Sequence, residues 1–260
     1  MDAPRKLAVA GGTGRVGHHV VDVLRERGHD AVPMARATGV DVITGQGVAE
    51  ALAGVECVID AATGPSPDQG AATEFFTTAT QNLQKMGEAA GVQQMIVVSI
   101  IGIDRFTAGY SAAKLEHERA MQAGPIPARI VRASQFHEFV EQLIDWGRQG
   151  DVSYVQKMRT QPVAARTVAE ALVDLATGSG SLPAAWLSDA PIVEIAGPRE
   201  EHLVDLARLF TSRRGDAVRI EAWSNPDDPD RELSETGALL PGPDALLGGP
   251  TFEEWLDGAR

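Results

Sequence analysis

The chain has 260 residues, 43% of them hydrophobic, which is enough to bury one substantial core beside a smaller lobe. Its 36 acidic and 23 basic residues leave a formal net charge of −13. That surface repels nucleic-acid backbone and anionic lipid and directs attention to a small-molecule substrate. The single cysteine, Cys57, excludes an intramolecular disulfide. Residues 1–6 lead into a strand-like run with no apolar signal core. The longest nearly apolar stretch, 95–103, is about half a membrane span, so a cytoplasmic protein with no membrane partner is expected.

In chain order, short apolar runs alternate with helical patterns. Residues 7–10 read as a strand and 16–27 as a helix, with Val16, Val20, Val23 and Leu24 on one face and Gly28 as its stop. A second strand is expected at 31–35, where Pro33 suits an irregular edge, and a short third strand at 41–43. A helix at 48–53 precedes a fourth strand at 57–61. A long helix over 71–90 is closed by Gly91. Then come a strand at 95–100, a helix at 111–122, a strand at 130–133 and a helix at 136–149.

Past Gly150 the rhythm changes. Strands are expected at 152–155 and 192–195, helices at 167–176, 202–212 and 252–256, and mostly loop over 224–250. The β-α-β-α order implies an α/β fold: a Rossmann-type doubly wound parallel sheet over residues 1–150, and a small C-terminal lobe over 151–260 that covers one side of a cleft.

The segment Gly11-Gly12-Thr13-Gly14-Arg15-Val16-Gly17 joins the first strand to the first helix. Gly11 permits a tight turn, Gly14 clears space for a diphosphate, and Gly17 lets the helix approach the sheet. The helix N-terminus offers N–H groups and a positive dipole end to phosphate. An ordinary glycine-rich βα turn has the same spacing, but the strand–turn–helix context at the head of an alternating pattern favours a dinucleotide. Arg36, near the end of the second strand where NAD sites carry an acid, and Arg15 in the turn both suit a 2′-phosphate. NADP(H) is therefore favoured over NAD(H), although Asp41 stands nearby and suits a ribose or adenine edge.

Tyr110 and Lys114 are spaced to share one face of a helix. A lysine ammonium beside the phenol is expected to lower its pKa and make Tyr110 a proton donor or acceptor near neutral pH. Ser99 ends the fifth strand, at the carboxyl edge where such sheets bind ligands, and its hydroxyl suits a substrate carbonyl. The pair also fits a surface tyrosine and a helix-face lysine.

The glycine turn, Val98-Ser99 and Tyr110…Lys114 resemble the short-chain dehydrogenase/reductase superfamily, and in detail its atypical branch of NmrA-like NAD(P)H-binding proteins. The stretches 128–136 and 195–198 resemble that branch too. The resemblance implies that Tyr110 is the catalytic acid/base, that Lys114 binds the nicotinamide ribose and tunes the tyrosine, and that Ser99 orients the substrate carbonyl. It also implies that Ala61, Ala62 and Thr63 line the ribose and nicotinamide, and that Ser134, Gln135 and Phe136 form the turn passing the nicotinamide.

His137, just beyond that turn, is a further candidate for substrate contact or a plain helix-start residue. His18 and His19 read as surface or packing residues. No histidine pairs with Cys or carboxylates at metal-ligand spacing, so no metal is expected. The expected function is NADPH-dependent reduction of a small organic carbonyl compound or quinone. A non-catalytic NADP(H) redox sensor and a cofactor-dependent isomerase, dehydratase or epimerase are the alternatives. Oligomeric state is left open by the sequence.

Overall fold

The structure is a computed structural model that describes residues 3–180 and 182–258; of the opening segment 1–6, residues 1 and 2 lie outside the described residues. The first half runs β1 (Lys6–Ala10), α1 (Gly17–Glu26), β2 (Asp30–Met34), α2 (Val48–Ala51), β3 (Cys57–Asp60), α3 (Gln69–Ala90), β4 (Gln94–Ile100), α4 (Gly109–Gln122), β5 (Ala128–Ala133) and α5 (Phe139–Trp146). It continues with β6 (Arg148–Gln149), β7 (Val152–Gln156), β8 (Arg159–Thr160), α6 (Ala165–Thr177), α7 (Ala184–Leu187), β9 (Ile192–Ala196) and β10 (Glu201–His202). The last elements are α8 (Leu203–Arg214), β11 (Arg219–Trp223), α9 (Arg231–Thr236), β12 (Leu246–Leu247) and α10 (Phe252–Gly258).

Among the described residues a seven-stranded sheet runs in the order β12-β9-β5-β4-β3-β1-β2. Its pairs β1–β2, β1–β3, β3–β4 and β9–β12 are parallel. With helices flanking it, this is the Rossmann-type doubly wound architecture. β2 is the sheet's edge, which is why Pro33 sits in it without breaking a ladder. All four residues of β3 are buried, as expected of a strand covered on both faces.

The third strand expected at 41–43 is absent. Asp41 bends the chain instead: its Oδ1 accepts from the N–H groups of Ile43 and Thr44, and its carbonyl accepts from Gly45. The helix expected at 136–149 is shorter, because Gly147 packs where a Cβ would lie 2.1 Å from the Tyr154 carbonyl oxygen, and β6 follows at once. The loop expected over 224–250 contains α9 and β12. Asp68 caps α3 by accepting from Ala71 N–H at 2.9 Å, and Gly91 ends it at φ +81°.

The chain forms two compact units interleaved in sequence. The first holds residues up to Ser99, Gly109–Arg132 and Val168–Val193; the second holds Ile100–Ala108, Ala133–Thr167 and the chain from Glu194 on. Residues 168–193, grouped with the C-terminal lobe by sequence order, thus pack with the first unit. The first unit's core includes Ala8, Ala10, Met34, Val58, Met95, Val97 and Ile130. At about 1.5–3 kcal/mol per fully buried large aliphatic side chain, such residues dominate its stability. The second unit has its own core around Val140, Leu206, Phe210 and Phe252. In it, the buried carboxylate of Asp230 accepts from Thr107 N–H, Thr107 Oγ1 and Ala108 N–H. No helix among the described residues is long and apolar enough to cross a membrane.

Candidate cofactor site and active site

The glycine turn is built by close backbone approach. Gly11 has φ +71°, and a Cβ there would lie 2.8 Å from both the Ala61 carbonyl oxygen and the Ala62 Cα. The N–H groups of Gly11 and Gly12 donate to the Met34 carbonyl at 2.9 and 3.3 Å. The turn is therefore locked to the ends of β2 and β3, and Ala61, Ala62 and Thr63 emerge beside it. Thr13, Gly14 and Arg15 are exposed at its crest, while Val16 is buried with only its backbone at the helix start. Gly14 donates its own N–H to the Gly11 carbonyl at 2.8 Å, which fixes the curvature of the turn.

α1 opens without a side-chain cap and with no acidic residue in its first turn. An uncapped, unopposed positive helix end beside an exposed glycine fits a diphosphate. Arg36 is exposed at the start of a short 3-10 turn, Arg36–Thr38, directly after β2. Thr38 pins that turn by accepting from Ala35 N–H and donating to the Pro33 carbonyl. The residues present thus fit a nicotinamide dinucleotide, with the turn at the diphosphate.

The chemistry-bearing residues of the first unit are linked by contacts. Lys114 and Tyr110 both lie on α4. The Lys114 ammonium donates to the Val98 carbonyl at 2.7 Å, next to Ser99, and to Nδ1 of His117 at 2.9 Å. Nε2 of His117 meets Asp60 Oδ2 at 3.2 Å, and Asp60 Oδ1 accepts from Ala62 N–H at 2.9 Å. Phe76 of α3 backs the group. Its ring stacks on His117 at 4.5 Å and 11°, meets Tyr110 edge-on at 5.8 Å, and lies 4.6 Å below the Lys114 ammonium. Ser99 is buried, and its hydroxyl finds no hydrogen-bond partner among the described residues.

Electrostatics correct one expectation. The Tyr110 phenol is not lowered by Lys114: burial, and then the negative charge of Asp60, push it up to about 12. Burial lowers Lys114 itself to about 8, against the opposing pull of Asp60 and Glu118. Burial would raise Asp60, but the His117 hydrogen bond, the Ala62 N–H and the Lys114 charge hold it below the usual carboxylate value.

Sequence reasoning did not find Asp60, His117 or Phe76. Two signals were present: a carboxylate closing the apolar run Cys57–Asp60, and a histidine three positions after Lys114, on the same helical face. Neither was it able to find the buried bidentate pair in which Arg132 Nε and Nη2 donate to Glu118 at 3.0 and 2.8 Å, joining β5 to α4.

Ser134, Gln135, Phe136 and His137 belong to the second unit. Ser134 is buried, with its Oγ 3.2 Å from Thr160 Oγ1 and accepting from Gln161 N–H. The Gln135 carbonyl accepts from Val163 N–H, and Phe136 bridges to Val163. His137 does not stand at a surface that a substrate reaches. It is fully buried, its Nε2 donates to the Pro250 carbonyl at 3.1 Å, and its ring packs against Phe252 and Trp255. Burial lowers it to about 4, so it is a neutral packing residue. Among the described residues no cluster of His, Cys, Asp and Glu is arranged to hold a metal ion.

A family model described as NAD(P)H-binding matches residues 11–178, from the glycine turn through α6. The chain belongs to that NAD(P)H-binding family. No curated protein matches it. Solved structures similar to this NAD(P)H-binding protein include the NAD-dependent NDP-hexosamine 5,6-dehydratase TunA, at 16% identity and TM-score 0.68, covering 97% of this chain and 95% of that one. UDP-N-acetylglucosamine 4-epimerase from Bacillus cereus aligns at 16% identity and TM-score 0.67, over 98% and 94% of the two chains. The dTDP-4-dehydrorhamnose reductase of Bacillus anthracis str. Ames, in complex with NADP, aligns at 16% and 0.66, over 97% of each. These likenesses show the fold, and the family match shows the NAD(P)H-binding domain that the resemblance implied.

Proposed function

We propose that this NAD(P)H-binding protein is an NADPH-dependent reductase of a small organic carbonyl compound or quinone, with Tyr110 as the proton donor. The observation that carries the reading is the buried Ser99 hydroxyl without a protein partner, at the end of the strand whose Val98 carbonyl anchors Lys114. A buried hydroxyl left unsatisfied costs about 1–3 kcal/mol, a cost that a substrate carbonyl relieves.

NADPH, when bound, supplies a hydride. The turn from Gly11 to Gly17 holds its diphosphate, Arg15 and Arg36 favour the 2′-phosphate, and Lys114 serves the nicotinamide ribose. Ser99 donates to the substrate oxygen. Tyr110 keeps its proton at neutral pH because burial and Asp60 disfavour the phenolate, so it stands as the acid for the substrate oxygen.

A screen of carbonyl compounds and quinones, read as loss of the NADPH absorbance band, tests this. Turnover of at least one of them that collapses in Tyr110→Phe is the expected result. One observation favours a second reading, a redox sensor: the Lys114 ammonium is already engaged within the protein. That reading predicts tight NADPH binding with no NADPH oxidation anywhere in the screen. The neighbours that are epimerases and dehydratases suggest the further possibility of product formed without net NADPH loss, which chromatography of the same reactions detects.

A further inference from the structure

We propose that His117 is the positioning residue for Lys114 and that Asp60 sets its tautomer. Lysine ammonium has donors only, so the ring nitrogen facing it, Nδ1 at 2.9 Å, must present a lone pair. The proton then resides on Nε2, which donates to Asp60 Oδ2 at 3.2 Å. The other Asp60 oxygen accepts from Ala62 N–H, so the carboxylate is oriented from the β3 side and cannot swing away.

The ring is 1% exposed and stacked on Phe76, which fixes its plane and leaves no water to replace either partner. The charged and titratable groups around it are Lys114 and Glu118 on α4, Asp60 on β3, Tyr110 at the start of α4, and Arg132 on β5 through its pair with Glu118. Burial, and then the Lys114 charge, hold His117 below its usual value of 6.5, so the ring stays neutral and keeps its acceptor at neutral pH. The result is an ordered series, Ala62 N–H to Asp60 to His117 to Lys114, that fixes an ammonium group at the end of β4. That this matters for turnover rests on the function proposed above; the tautomer does not.

The first test uses the full chain without nucleotide. A nitrogen–proton correlation spectrum of the histidine rings should show His117 with protonated Nε2 and bare Nδ1 at pH 7. In Asp60→Asn the amide group turned toward His117 donates, so the ring must carry its proton on Nδ1, pointed at the ammonium. A switched tautomer in that variant is expected. His117→Asn places a carbonyl oxygen near the Nδ1 position and should retain NADPH affinity and turnover near the parent values. His117→Gln reaches the Nε2 position instead and should lose about 10–100-fold, as should Asp60→Asn.

Thermal denaturation of each variant separates these effects from unfolding. A Nδ1–H ring or a doubly protonated ring in the parent chain at pH 7 would overturn the proposal, as would equal losses in His117→Asn and His117→Gln. If no substrate is ever reduced, the reductase reading fails while the spectrum and the affinity pattern still decide this one.

Discussion

Gly17 lies directly against Gly11: a methyl group on Gly17 would sit 2.1 Å from the Gly11 carbonyl oxygen and 2.7 Å from its carbonyl carbon. Backbone cannot yield there without opening the turn. Gly14, by contrast, would place its methyl 3.1 Å from that same oxygen, a tight contact of a few tenths of an ångström. Gly17→Ala should therefore destabilise the fold by about 1–3 kcal/mol or more, measured by urea denaturation, and lose nucleotide binding with it. Gly14→Ala should fold with a nearly unchanged midpoint and weaken NADPH binding by about tenfold or more, since its methyl occupies the crest where the diphosphate approaches.

Tyr110→Phe removes one hydroxyl and keeps the edge-on contact with Phe76. We expect kcat to fall by at least about a hundredfold, the scale of general acid catalysis, while the affinity for NADPH in calorimetry stays close to that of the parent. Unchanged turnover would remove Tyr110 from the chemistry.

The pH profile follows from Lys114. Its ammonium is lowered to about 8 by burial, so kcat/KM for reduction should fall as pH rises through about 8. The Tyr110 phenol, pushed up to about 12, stays protonated throughout that range and adds no limb of its own. Lys114→Met should have lower activity at every pH and lack the limb. Stability has the opposite sign. Between about 8 and the ordinary lysine value of 10.5 the unfolded chain holds the proton that the folded one has released, so stability contributed by this group rises with pH over that window. Denaturant midpoints at pH 7.5 and 9.5, compared in the parent and in Lys114→Met, isolate the effect.

Glu118 and Arg132 are both buried and are joined through two hydrogen bonds. Truncating one strips two charge-assisted hydrogen bonds from the other's buried charge. Glu118→Ala should cost about 3–5 kcal/mol in chemical denaturation, and the double variant Glu118→Leu with Arg132→Met should recover much of it. Equal losses in the single and double variants would show that the pair is not the source.

The alternation of elements was legible because buried parallel strands are short apolar runs and the helices between them carry one apolar face. The glycine turn was legible because three glycines at fixed spacing stand within one strand–turn–helix, where Gly11 packs on Ala61 and Ala62 and Gly17 on the Gly11 carbonyl. What sequence missed lies across distance. Asp60 and His117 are 57 positions apart, and no local period links them. Residues 41–43 have strand-like composition, but the Asp41 side chain supplies the turn's hydrogen bonds and wins. In the segment 224–250, proline and glycine punctuate the chain without preventing α9, one and a half turns of helix closed by Gly237 at φ +94°. His137 looked available because it follows a cofactor-side turn; its burial against Phe252 and Trp255 depends on the far C-terminus.

The account stands on the opening turn between β1 and α1 receiving the diphosphate of a nicotinamide dinucleotide. Isothermal titration of the full chain with NADPH measures this directly. A saturable one-site isotherm with Kd on the order of micromolar, abolished in Gly14→Asp, is the result expected. Absence of saturable heat with NADPH, NADP+, NADH and NAD+ alike, or undiminished binding in Gly14→Asp, would contradict it.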